Sequence, residues 1–405
     1  DGAPPARSAV ISARGVLVTL PHHPPGDSFD AYLAAAGMNF RLSRGRVLAF
    51  EKPASAYHRF CAETAARFSA MLAIGVAEKR PELAAILRAM LLGQKHELND
   101  EQDMLFMHSG TMHLFAISGL HIGMIAVALH AILRLLRLPG LVCLVAGLGA
   151  LWLYVDITGG APSAVRAFIM AALVETAIVL HLPRNPLAAL AASAFVVAIV
   201  WPLQVFSASF QLSYGIVSAL LLLGVPLAEA LEQRWRCFRD LPVAAWGRHH
   251  RMLDAVRRRV LAALGIGVAS TLVSTIAGIL FFKLFTPASL LANLLLIPAA
   301  MLVILAGFAS LVCGLFGLQT GSTIFNHAAV LILWGIDAVV RTAVAIPGAW
   351  RPAQFESPWQ GHIALLLLIM TFLLGYAAGW RPAFGSWWPP FAVVALTLFF
   401  FVEFT

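Results

Sequence analysis

The chain has 405 residues, 60% of them hydrophobic and 12% charged, with a formal net charge of +8. So apolar a composition excludes a soluble globular protein of this length and fits a polytopic membrane protein. The positive balance does not by itself imply nucleic acid, because membrane proteins collect arginine in cytoplasmic loops.

Residues 1–53 differ from the rest. The run Val16–Leu20, between Gly15 and Pro21, predicts a strand. Residues 24–27 (PPGD) predict a loop, Phe29–Ala36 a short helix, and Arg41–Phe50 a strand pair turned at Ser43-Arg44-Gly45. About fifty residues of this kind make a thin core, and the chain begins at Asp1 without a signal peptide. The region is therefore expected to be the tail of a small β-rich domain whose start is missing. Residues 54–108 form a second region, helical but not spanning. Leu83, Ile86, Leu87, Met90 and Leu91 recur at helical spacing among charged positions. That amphipathic pattern suits the outer membrane face or packing on the bundle.

Residues 109–405 carry apolar segments close to the roughly 20 residues a spanning helix needs. The predicted spans are 112–133, 138–156, 161–181, 186–203, 210–229, 260–283, 289–316, 324–345, 362–380 and 388–404. The predicted fold is thus mainly α, a polytopic membrane helical bundle of about ten spans, with a small partial β-rich region before it. Eight arginines between Arg234 and Arg259 face only Glu232, Asp240 and Asp254 in the longest internal loop. Positive loops stay in the cytoplasm. Threading outward from that loop also places Arg134, Arg137, Arg184 and Arg381 inside, and residues 1–104 outside.

Four stretches carry polar groups at membrane depth, where they are costly unless they face protein or a water-filled path. The first is Ser109–Gly123 (SGTMHLFAISGLHIG), with His113, Ser118, Gly119 and His121. On one ideal helix the two histidines would be offset by about 80°, and Gly119 would loosen that helix. They either line a polar path as a broken helix or bond to neighbouring helices. In the second, Gly159–Met170 (GGAPSAVRAFIM), Arg166 falls about a turn inside the membrane. It either meets a phosphate or pairs with a group such as Asp156. The third, Phe206–Tyr214 (FSASFQLSY), places Gln211 and Ser213 for interhelical hydrogen bonds or substrate contact. The fourth, Pro287–Pro298 (PASLLANLLLIP), holds Asn293 between two prolines and predicts an interrupted helix. Asp337 and Arg341, four apart, predict an ion pair.

Enzyme chemistry has little support. Ala116-Ile117-Ser118-Gly119 is superficially like the nucleophile region of intramembrane serine proteases. Those need a base, usually a histidine on another helix, for which His181, His327 and His362 are the candidates. No HExxH and no spaced His/Asp cluster of metal-hydrolase type occurs. Four scattered cysteines form no CxxC pair. No catalytic residue, metal or cofactor is expected.

Taken together and in this order, the four stretches resemble the competence domain of the ComEC family of DNA-uptake channel proteins, over roughly residues 60–345. The stretch PGDSFDAYL at Pro25–Leu33 also resembles the end of that family's extracellular OB-like domain. The resemblance implies a bacterial cytoplasmic-membrane protein that passes single-stranded DNA inward during natural transformation. His113, Ser118, Gly119, His121, Arg166, Gln211 and Asn293 would line the path, and Arg41, Arg44 and Arg46 would contact DNA outside. It further implies a cytoplasmic ATP-driven translocase, an external DNA receptor, a separate nuclease, surrounding lipid and a possible homo-oligomer. No P-loop and no HxHxDH string is present, so no motor or nuclease activity is expected of this chain. The rival readings are a transporter of a small polar or lipid-linked solute and a non-conducting membrane scaffold.

Overall fold

The computed structural model describes residues 7–21, 33, 38–115, 117–183, 185–238, 242, 245–382 and 385–404. The predicted loop at 24–27, Arg184, Arg239 and Asp240 lie outside the described residues. So does all of Phe29–Ala36 except Leu33.

Strand β1 (Val10–Thr19) pairs antiparallel with β2 (Phe40–Lys52). The expected turn at Ser43-Arg44-Gly45 is absent. Those residues instead make a bulge within one continuous strand, with Arg44 at φ +51° and the register shifting opposite Gly15. A bulge adds one residue and bends the ribbon, so a local turn signal need not end a strand.

Three helices follow, α1 (Ala56–Ala73), α2 (Pro81–Leu92) and α3 (Asp100–His108). Pro81 starts α2, where its missing N–H costs nothing, and Gly93 ends it at φ +72°. The apolar residues predicted on one face of α2 are all buried, and so are Ala84, Ala85, Ala89 and Leu92. The helix is therefore a core element inside the bundle, the second of the two placements its sequence allowed.

The bundle comprises α4 (Gly119–Leu135), α5 (Gly140–Ile157), α6 (Pro162–Val179), α7 (Pro186–Val200), α8 (Ala208–Ala219), α9 (Val225–Arg234), α10 (Arg248–Phe282), α11 (Ser289–Leu315), α12 (Gln319–Ala345), α13 (Pro358–Ala377) and α14 (Trp388–Phe400). A π-helical turn at Leu220–Gly224 joins α8 to α9. Eight helical segments among the described residues are long and apolar enough to cross a membrane. The two predicted spans outside that set are α7 and α14, with 15 and 13 residues. Strands β3 (Leu284–Phe285), β4 (Arg351–Phe355) and β5 (Val402–Phe404) form one sheet in that order. Because β5 pairs with β4, α14 returns the chain to the end of the bundle that carries β3.

Helices in lipid gain little from the hydrophobic effect and associate through close packing and hydrogen bonds. Both devices are present. Leu91 of α2 sits on Gly307 of α11, where a Cβ would collide with it, and the Leu91 carbonyl accepts from the Tyr154 hydroxyl. Ser310 bonds Ser322 at 2.8 Å and Asn326 at 2.7 Å, tying α11 to α12. The Asn326 amide then donates to the carbonyls of Met71 and Ile74 at the end of α1. A second apolar cluster joins the π turn to α10, α13 and α14.

Candidate functional site

The first polar stretch is not one helix. A 3-10 turn at Met112–Leu114 carries His113, and α4 begins only at Gly119, with Ser118 as its N-cap. The offset predicted for the histidines on a single helix therefore does not apply. Gly119 is the first helical residue rather than an internal weak point. A Cβ there would meet Ala167 Cβ at 3.9 Å, an ordinary contact, so packing does not demand glycine.

His121 is fully buried. Its Nδ1 lies 3.3 Å from the Ser118 N–H and 2.9 Å from Ser118 Oγ. A backbone N–H can only donate, so Nδ1 accepts and the proton of the neutral ring belongs on Nε2. That Nε2 is buried with no partner. The base near Ser118 is thus three residues along the same helix, not one of the three histidines proposed from the sequence. His327 and His362 bond carbonyls four residues upstream instead. Among the described residues no carboxylate orients His121, so the Ser118–His121 pair lacks the third member of a triad there. His113 is exposed, on the 3-10 turn that precedes α4.

Arg166, on the first turns of α6, is 1% exposed. Nη2 donates to the Ser209 carbonyl at 2.8 Å and to Ser209 Oγ at 2.7 Å. Nε and Nη1 have no partner. An arginine has five N–H donors, so among the described residues three remain free beside a charge that no carboxylate neutralises. Asp156, the partner considered from sequence, is taken by Tyr57 Oη at 2.7 Å and by Arg7 at 3.5 Å. That carboxylate holds the Tyr57 phenol well above its usual range.

The four stretches are linked in a chain of contacts, the second of them at the break before α4. Ser163 Oγ donates to the Ile117 carbonyl at 2.7 Å, and Ala167 faces Gly119. Arg166 joins the second stretch to the third through Ser209. Gly110 packs on Thr286, just before the fourth, and on Ser289 within it. From Ser289 onward the fourth stretch is one continuous helix, contrary to the predicted interruption. Pro298 sits inside α11, so only the Leu294 carbonyl loses its helical bond. Asn293 nonetheless has a buried Oδ1 without a partner. Gln211 is half-buried on α8 with no side-chain hydrogen bond among the described residues.

Sequence reasoning missed Ser209 and the Tyr57–Asp156 contact. Only the long-range packing of α8 on α6 and of α1 on α5 reveals them. It did foresee the Asp337–Arg341 pair, which forms at 2.8 Å. Glu101 of α3 also reaches Arg341, at 2.8 Å. Arg41, Arg44 and Arg46 all lie on β2, remote in sequence from the break, and Arg46 stands directly across from Arg14. Among the described residues no group of histidine, cysteine and acidic side chains is arranged to hold a metal ion.

The fold and site define a multi-pass helical membrane protein with a buried, unpaired cation and several orphaned polar atoms at a helix break. The family model for Competence protein matches residues 90–402, and the chain belongs to that family. It is 31% identical over 142 residues to ComE operon protein 3 of Bacillus subtilis (strain 168), covering 35% of this chain and 18% of that protein. It is 26% identical over 300 residues to the uncharacterized protein YcaI of Escherichia coli (strain K12), covering 68% of this chain and 35% of that protein. The chain therefore matches about a third or less of the length of these relatives. No solved structure matches it significantly.

Proposed function

We propose that the chain forms the conducting part of a bacterial cytoplasmic-membrane channel that takes up single-stranded DNA in natural transformation. Membership of the competence family supports the process. The observation that carries the mechanism is Arg166. A buried guanidinium with three free donors and no carboxylate costs several kcal/mol unless an anion joins it, and a phosphodiester strand supplies one charge per nucleotide. His113, His121, Gln211 and Asn293 add donors and acceptors along the same break, beside Ser118 and Gly119. Contacts of this kind fall on the backbone and carry no base information, so passage is insensitive to sequence.

In this reading residues 1–104 are extracytoplasmic, which the arginines from the end of α9 through the first turns of α10 support. Arg41, Arg44 and Arg46 meet incoming DNA there. Like charges directly across a strand pair repel, so Arg14 and Arg46 favour an anion between them. The chain performs no catalysis and needs no cofactor. An ATP-driven translocase pulls from inside, a receptor delivers DNA from outside, a separate nuclease degrades the other strand, and copies of the chain associate in the lipid.

The test is transformation of a deletion strain with a chromosomal marker, with electroporation of a plasmid as control. Loss of transformation with normal electroporation supports the reading. Normal transformation contradicts it and favours a transporter of a small polar or lipid-linked solute, which the same arginine would serve, or a scaffold.

A further inference from the structure

The last turns of α9, the end of α13 and the start of α14 form a pocket that the proposed DNA path does not use. Its volume is about 250 Å³, and Glu229 and Gln233 line one side of it, with Tyr376, Gly379, Trp380 and Trp387 on the other. The aromatic side is held in place. Trp380 Nε1 donates to the Leu222 carbonyl at 3.1 Å, and its ring stacks on Trp387 with centroids 4.9 Å apart. Gly375 makes room for that ring, since a Cβ there would lie 2.5 Å from it.

The pocket stands at the headgroup level. Gly215 of α8 packs on Val273 and Gly361 of α13 on Leu280, so α8 and α13 both start near the same end of α10. Helix α13 has 20 residues, about 30 Å at 1.5 Å per residue, which matches the hydrocarbon core. Gly379 and Trp380 therefore follow directly after the crossing. The apolar helical segment that begins at Ala208 reaches Glu229 after about 32 Å, the same level. Tyrosine and tryptophan are enriched in this layer. Two opposite charges border the pocket. Glu229 lines it, and Arg381 Nε would lie 3.9 Å from a Cβ on Gly379. Among the described residues neither has an ionic partner, and they do not pair with each other.

We propose that this pocket binds the headgroup of a zwitterionic aminophospholipid, phosphatidylethanolamine, in the leaflet at the arginine-rich end of α10. The ammonium meets the Glu229 carboxylate, and the phosphate meets the Arg381 guanidinium, whose geometry suits it. Leu373, exposed about one turn deeper on α13, lies along the acyl chains. Two observations select this occupant: an unpaired carboxylate and an unpaired guanidinium border one pocket, and that pocket is level with headgroups. An anionic lipid would satisfy Arg381 and leave Glu229 without a cation.

The test is native mass spectrometry of the full chain released from detergent with equal amounts of phosphatidylethanolamine and phosphatidylglycerol. The wild-type chain is expected to retain phosphatidylethanolamine in preference. Glu229→Gln should weaken that retention by about fivefold and leave phosphatidylglycerol unchanged, whereas Arg381→Gln should weaken both. Glu356→Gln, just before the opposite end of α13, is the control and should change neither. Phosphatidylethanolamine with a photoreactive group near the top of one acyl chain should crosslink to peptides within residues 226–233 or 373–388. Equal retention of the two lipids by the wild-type chain would overturn the proposal. So would a Glu229→Gln chain that behaves like Glu356→Gln, or crosslinks that fall elsewhere.

Discussion

Arg166 grips Ser209 through a single nitrogen, Nη2, which donates to both the carbonyl at 2.8 Å and the hydroxyl at 2.7 Å. The bond fixes the guanidinium and leaves its other two nitrogens unmatched. A purely structural arginine would be matched on those nitrogens as well. Arg166→Met is therefore expected to leave thermal stability unchanged or raise it, since an unpaired buried charge is often better replaced by an apolar side chain. The same variant should reduce transformation about 10- to 100-fold, the worth of a charge-assisted hydrogen bond, with electroporation unaffected. Thermal melting in detergent and marker transformation check the two halves. A loss of stability together with intact transformation would make the residue structural.

Gly110 has φ +70°, and a Cβ on it would lie 2.9 Å from both Ser289 Cβ and Thr286 Oγ1. Backbone strain and collision act together there. Gly110→Ala is expected to cost about 1–3 kcal/mol and to separate the first polar stretch from the fourth. A lowered melting temperature with reduced transformation would show this. Gly123→Ala, whose added Cβ meets nothing within 4 Å, serves as the tolerant control.

Ser118→Ala removes the hydroxyl bond to His121 but keeps the backbone one. The expected loss is about 1 kcal/mol, as for an N-cap, and transformation should stay within an order of magnitude of wild type. Because no carboxylate among the described residues orients His121, a fluorophosphonate probe should not label the protein. Labelling that disappears in Ser118→Ala would establish a serine hydrolase and contradict the non-enzymatic reading.

His108 stacks on Trp350 with ring centroids 3.7 Å apart and planes within 7°. Burial holds its pKa below the ordinary histidine value. The unfolded chain then binds a proton at a higher pH than the folded chain, so stability falls as pH drops from about 6.5 through the folded pKa. The melting temperature should decrease between about pH 7.5 and pH 5.5. His108→Phe keeps an aromatic ring on Trp350 and should reduce that decrease.

Legibility from sequence followed the range of the interactions. Spans longer than about 17 residues announce themselves through hydropathy, and the periodic apolar residues of α2 were read as one face. That the whole helix is enclosed depends on α1, α11 and α12 packing around it, which no local pattern encodes. The Ser-Arg-Gly signal at 43–45 serves a turn and a bulge alike, and only the pairing with β1 makes it a bulge. Pro298 signals a break locally, yet α11 continues through it. At the site, residue identities were visible because polar groups are conspicuous in an apolar stretch. Their geometry was not: the start of α4 at Gly119 set the His121 contact, and the approach of α8 to α6 supplied Ser209.

The most direct measurement of the central claim is photocrosslinking during uptake. A photoreactive amino acid at position 113 or 293 is expected to capture incoming single-stranded DNA, whereas one at Phe195, exposed on the outside of α7, captures none. Absence of capture at 113 and 293 in a strain that still transforms, or equal capture at 195, would contradict a DNA path through the break before α4.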